Sequence, residues 1–239
     1  MSPARPSLVE RIRRRQREGL LPVLSEIKVR SPKEGDLLRG RAPDDLARAY
    51  ASRPIAGISV VTEPIDFGGS LDLIRLISPL VDVPILRKDF IRDPAGMEET
   101  ADAGASAVLL TIGVLGGGLL AELHAAAKSH ELETLVETHD AEELQRVRAL
   151  GVEPDLLGIN NRDILVGETD EGDVSVTEGL TARVPSGWLV LSESAIDGPE
   201  DARRARDAGA DAVLVGTSIL KAADPCRAID ELVSVGWAP

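Results

Sequence analysis

The feature that most narrows what this chain can fold into is a rhythm of eight short apolar runs: Val23–Ile27, Gly57–Val61, Pro84–Leu86, Ala107–Leu110, Leu132–Val136, Leu156–Ile159, Trp188–Leu191 and Ala212–Val215. Each is rich in Val, Ile or Leu and bounded by Gly, Pro or Asp, the pattern of a buried strand. Between them lie segments such as Pro43–Ala51, Ala95–Ala103, Leu119–Ser129, Ala141–Leu150 and Pro199–Ala208, with helical spacing and helix-favouring residues. The apolar runs are continuous instead of alternating, as expected for parallel strands covered on both faces. "ADAGASAVLL", "RALGVEPDLLGI" and "RDAGADAVLVG" resemble one another and set a Gly between helix and strand, consistent with stacked βα units carrying glycine C-caps. The expectation is an α/β fold, a single-domain (β/α)8 TIM barrel over residues 21–239 with a short helical extension over residues 1–20. A doubly wound open sheet competes, but no G-x-G-x-x-G follows the first strand.

A length of 239 residues suits one such barrel, and 43% hydrophobic content allows a sizeable core. No stretch approaches the roughly 18 apolar residues of a membrane span, so no membrane partner is expected. The N-terminus, with Arg11, Arg13, Arg14, Arg15 and Arg17, lacks the apolar core and cleavage site of a secretory signal, and a cytoplasmic location is expected. This stretch is either a basic arm for RNA or membrane or an ordinary amphipathic helix. The spacing of Leu8, Ile12 and Leu20 favours the helix. Cys226 has no second cysteine to pair with, and three scattered histidines do not make a metal site. A net charge of −13 argues against nucleic acid as a partner and requires the few cations to converge if a small anion is bound.

In a (β/α)8 barrel the active site lies at the C-terminal strand ends, so the polar residue closing each run is informative. These are Glu26 and Lys28, Thr62 and Glu63, Lys88, Thr111, Glu137, Asn160 with Arg162, Ser192 with Glu193 and Ser194, and Gly216 with Thr217. Singly, each is as well explained by a strand emerging into solvent. Together, lysines, glutamates and an asparagine aimed into one mouth are costly to desolvate unless paired with each other or with a ligand. "LSESAIDGPED" and "VLVGTSIL" set small residues after strands seven and eight, where barrels often bind phosphate; Gly216 and Thr217 are the candidates, with a plain tight turn as the alternative.

"LSEIKVRSPKEGDL", "GISVVTEPIDFGGSLDLI", "VPILRKDFI", "LVETHDAEEL", "LGINNRD", "LSESAID" and "ADAVLVGTSIL" follow one another in an order that resembles the indole-3-glycerol-phosphate synthases of tryptophan biosynthesis, over roughly residues 22–235. The resemblance implies a cofactor-independent carboxy-lyase acting on a small phosphorylated substrate, as a monomer or weak homodimer, with no metal. It implies Lys88 as general acid, Glu137 as general base, Lys28 as a contact to substrate anions that assists the dehydration, and Glu26 as its adjacent carboxylate. Asn160, Glu193 and Ser194 match further substrate-contacting positions. Ala195, Gly216 and Thr217 fall on the phosphate site with Arg162 nearby, and Phe90, Leu109 and Thr111 on an apolar pocket for the anthranilate ring. The aromatic content of 2% makes Phe90 the expected stacking residue. Ala195 stands where the family usually has Gly, and the loop Ile164–Glu178 is acidic. Two rivals remain at this stage. One is a sister phosphate-binding barrel such as an isomerase, which would place Cys or Asp where Glu26 and Glu137 stand. The other is a weakly active paralogue kept as a binding subunit.

Overall fold

The computed structural model describes residues 5–162 and 172–237. Eight parallel strands, β1 (Val23–Ile27), β2 (Gly57–Val61), β3 (Ile85–Lys88), β4 (Ala107–Thr111), β5 (Glu133–Thr138), β6 (Leu156–Asn160), β7 (Leu189–Glu193) and β8 (Ala212–Val215), pair in chain order. β1 closes the ring on β8, with Val23 opposite Val213 and Ser25 opposite Val215. Closure rules out the open sheet. Around it run α1 (Leu8–Arg17), α2 (Pro43–Ala51), α3 (Leu71–Ile77), α4 (Ala95–Asp102), α5 (Ile112–Ser129), α6 (Ala141–Ala149), α7 (Ser175–Leu180), α8 (Pro199–Asp207), α9 (Thr217–Lys221) and α10 (Pro225–Val233).

Local chemistry sets the helix ends. Ser7, Ser70, Asp140 and Asp224 cap α1, α3, α6 and α10 by accepting first-turn N–H bonds, and Pro opens α2, α8 and α10. The quasi-repeat glycines Gly104, Gly151 and Gly209 take φ of +96°, +65° and +108°, so each helix turns back into the sheet through the left-handed region.

The strands divide their apolar residues by parity. Leu24, Leu86, Leu109, Leu135, Leu191 and Leu214 pack inside the barrel, whereas Val23, Ile58, Val60, Ile85, Val190 and Val213 pack outward against the helices. The expected strand limits need correction at their C-terminal ends: β3 to β7 continue past their last apolar residue to Lys88, Thr111, Thr138, Asn160 and Glu193. The ladder is a property of the backbone, so Thr111 stays opposite Glu137 and Asn160 opposite Glu193 despite their polarity.

α5 begins at Ile112, earlier than expected, and a break at Gly116 (φ +68°) joins its first turn to the rest. α1 seals the N-terminal end of the barrel. Its Leu8 and Ile12 are fully buried among the interior leucines, and Glu133, at the start of β5, accepts from Ser7 Oγ at 2.5 Å and Leu8 N at 2.6 Å. Arg15 donates to Ile55 O, and Arg13 pairs with Asp211 at 3.3 Å, so these two side chains serve the docked helix. Leu20 lies beyond it, past Gly19 at φ +74°. Of the acidic loop, residues 164–171 lie outside the described residues.

Candidate active site

The polar strand ends meet because they share the inward parity of the interior leucines. Two residues beyond Leu24, Leu86, Leu109, Leu135, Leu191 and Leu214 stand Glu26, Lys88, Thr111, Glu137, Glu193 and Gly216, and side chains two apart on a strand share a face. Just past the strand ends, Lys28 and Phe90 line the same mouth, and His139 Nε2 lies 3.7 Å from Glu137 Oε1.

Two buried ion pairs organise the mouth. Lys28 Nζ lies 2.9 Å from Glu26 Oε1, and Lys88 Nζ lies 3.2 Å from Glu193 Oε2. The Glu193 side chain is fully buried and that of Lys88 is 13% exposed, so the ammonium reaches the cavity while its counter-charge does not. Burial, and then the like charge of Glu137, push the Glu193 carboxyl up to about 8 against the pull of Lys88. Two glycines make these placements possible. A Cβ on Gly158 would stand 2.5 Å from Glu193 Oε1, and one on Gly216 would collide with Glu26 Oε1.

Glu137 is 1% exposed and accepts from Thr111 Oγ1 at 3.1 Å and Asn160 Nδ2 at 3.2 Å. Asn160 Oδ1 in turn accepts from Arg162 N at 3.0 Å. Thr111 and Asn160 therefore orient the carboxylate, and neither they nor Glu193 line the two cavities at the mouth.

The first cavity, about 360 Å³, is walled by Val61, Phe67, Phe90 and Leu109 together with Glu26, Lys28, Glu63, Lys88, Asp89 and Glu137. The second, about 390 Å³, shares Glu26, Lys28 and Lys88 and is otherwise bounded by Arg162 and the small or turn residues Ser194, Ala195, Gly216, Thr217 and Ser218. One half is apolar and ring-lined, the other polar and backbone-rich, and both lysines stand at the junction. Ser194 and Ala195 both sit at positive φ, +66° and +51°. The left-handed conformation expected to strain a Cβ is realised at both, and such outliers gather where a loop is held to a ligand.

Phe90 is not alone: Phe67, 9% exposed, supplies a second ring, with Lys28 Nζ 5.7 Å from its centroid. Glu63 holds that loop by accepting from the backbone N–H groups of Ile65, Asp66 and Phe67 at 2.8 to 3.0 Å. Its "EPIDF" segment directly after β2 was the available signal. Two other strand-end groups turn away from the mouth. Thr62 joins Arg87, Asp89 and Thr100 behind β3, and Ser192 joins Asn161 and Thr177 behind β7.

A family model described as indole-3-glycerol phosphate synthase matches residues 1–232. Similar curated proteins carry the same name. One from Thermococcus kodakarensis is 46% identical over 213 residues (89% of this chain, 92% of that protein), and one from Pyrococcus furiosus is 44% identical over 212 residues (89% and 91%). One from Shouchella clausii is 40% identical over 214 residues (90% and 82%). The fold is similar to that of orotidine 5'-phosphate decarboxylase from Pyrococcus horikoshii, with a TM-score of 0.64 and 18% identity over 89% of this chain and 98% of that one, a likeness of architecture.

Proposed function

The chain belongs to the indole-3-glycerol phosphate synthase family, and from that premise we propose how its strand ends perform the ring closure. The reaction converts 1-(2-carboxyphenylamino)-1-deoxyribulose 5-phosphate to indole-3-glycerol phosphate, releasing CO2 and water. The substrate is a benzoate ring at one end and a phosphate dianion at the other, and the two joined cavities match it in that order. The ring lies between Phe67, Phe90 and Leu109, and the phosphate lies against Ser194, Ala195, Gly216 and Thr217 with Arg162 at the edge. Lys28 and Lys88 supply the positive charge that an otherwise acidic chain lacks.

Lys88 donates the proton to the ketone oxygen as the aryl carbon adds to C2. Glu193, buried behind it at 3.2 Å, fixes where the ammonium points. Loss of CO2 restores the aromatic ring. Glu137, oriented by Thr111 and Asn160, then takes the proton whose departure completes the indole, while Lys28, fixed by Glu26, assists the hydroxyl in leaving as water. The single observation that carries this reading is that Lys88 and Glu137, on strands β3 and β5, line one cavity whose wall is aromatic. Among the described residues no helix is long and apolar enough to cross a membrane. A cytoplasmic monomer or weak homodimer acting without cofactor or nucleic acid completes the proposal.

Incubation with the carboxyphenylamino-deoxyribulose phosphate should produce indole fluorescence. Lys88→Met should lower kcat by about 10² to 10⁴, the range for lost acid catalysis, without changing the circular dichroism. No product at high enzyme concentration overturns the assignment of function, and a loss under tenfold overturns the role of Lys88.

A further inference from the structure

His139 stands two residues beyond Glu137, just past the end of β5, and lines neither cavity at the mouth. Its backbone N–H donates to Glu143 Oε2 at 2.8 Å, and its Nδ1 lies 3.0 Å from the same oxygen. Glu143 is in the first turn of α6, whose cap Asp140 accepts from Glu143 N at 2.8 Å. A Cβ on Gly113 would stand 2.5 Å from Glu143 Oε1, so the start of α5 closes over this carboxylate. The other ring nitrogen, Nε2, is buried without a hydrogen bond and lies 3.7 Å from Glu137 Oε1. A second carboxylate thus fixes the ring in one orientation, and its free nitrogen faces the base.

We propose that His139, oriented by Glu143, is a positioning residue for Glu137: as an imidazolium it sets Nε2–H against Glu137 Oε1 and places a positive charge beside that buried carboxylate. The proposal rests on the reading of Glu137 as the base. The need is electrostatic. Glu137 is 1% exposed and its two hydrogen-bond donors, Thr111 and Asn160, are neutral, so neither bond brings a positive charge to the carboxylate. The charged groups bearing on His139 are Glu137 from β5, Glu143 from α6 and Glu193 from β7, with Lys88 of β3 behind Glu193. Burial works against the imidazolium, but the Glu143 hydrogen bond and these carboxylates outweigh it and hold the His139 pKa above its ordinary value. A purely structural brace of the β5–α6 turn would affect stability and leave the pH profile of turnover where it was.

Two measurements separate these roles. The chain has only three histidines, so the imidazole C–H resonances can be assigned by NMR. His139 should titrate above its ordinary value in the unaltered protein, and lower in both Glu137→Gln and Glu143→Gln. This readout is independent of turnover, so it stands even if the assigned reaction fails. In the kinetic arm, His139→Gln and Glu143→Gln should move the acid limb of the kcat–pH profile upward by about 0.5–1 unit. They should also lower kcat at neutral pH about tenfold, with KM within about twofold. A His139 titration unmoved by Glu137→Gln overturns the proposal. So does an unmoved acid limb, or a loss confined to KM. Should His139→Gln fail to fold, Glu143→Gln and the NMR titration decide.

Discussion

Gly158 sits in the middle of β6, opposite Glu137 on one side and Leu191 on the other, and its missing side chain leaves the space that the Glu193 carboxylate fills. In Gly158→Ala the new Cβ would stand 2.5 Å from Glu193 Oε1, 3.2 Å from Leu135 Cδ1 and 3.4 Å from the Glu137 backbone. Ordinary contact begins near 3.4 Å, so the carboxylate must move by about 0.9 Å, with the barrel wall behind it unable to yield. The ion pair to Lys88 starts at 3.2 Å, and a displacement of this size changes where the ammonium points. A misplacement of about 1 Å at a reacting group costs about 10²-fold, and overpacking a core costs about 1–3 kcal/mol. For a chain of this size the latter lowers Tm by about 2–12 °C.

The assay is kcat/KM by indole fluorescence, with thermal unfolding followed by circular dichroism. Gly118→Ala, inside α5 where a Cβ meets nothing within 4 Å, is the control and should leave kcat/KM unchanged and Tm unchanged or slightly raised. Adding Glu193→Asp to Gly158→Ala shortens the obstructing side chain by one methylene and should recover part of the lost Tm. A Gly158→Ala protein with native Tm and with kcat/KM within about threefold of native would refute the reasoning.

The raised pKa of Glu193 makes the fold bind a proton more tightly than the unfolded chain does, so this group's contribution is complete below its ordinary range and is lost as pH rises through about 8. The Tm difference between Glu193→Gln and the unaltered protein should therefore move in favour of the variant between pH 6 and 9; a constant difference contradicts this. Ala195→Gly removes a Cβ from a residue at φ +51°. Strain relief of about 1–2 kcal/mol against about 0.5–1 kcal/mol of added chain entropy leaves stability unchanged or slightly raised, and a loss above about 1 kcal/mol in denaturant unfolding would show the strain is absent. Leu8→Ala opens a cavity under the barrel floor, where Leu8 is fully buried, and should cost about 2–5 kcal/mol with kcat unaltered at the far end of the barrel. A fall in kcat without a fall in stability would place α1 wrongly.

Much of this protein is legible in one dimension because barrel units are local. Each strand, helix and turning glycine is specified within about 25–30 residues, and parallel strands buried on both faces cannot avoid an unbroken apolar pattern. The residues closing those runs were named from sequence, since the C-terminal strand ends of a closed barrel have nowhere else to point. What the sequence left open is which closing residues act on a ligand and which act on each other. Glu26, Lys88, Glu137 and Glu193 read alike as polar ends, yet Lys88 and Glu137 reach the cavity while Glu193 lies buried behind the lysine, in room left by a glycine thirty-five positions away. Thr62 and Ser192 read the same way and turn outward into structural networks. Neither His139 nor Phe67 ends an apolar run, and only closure of the ring brings them to the mouth or behind it. Periodicity along a chain fixes which face a side chain takes. The distance between charges on different strands, and hence which are neutralised, buried or free to move a proton, is set by how the barrel closes.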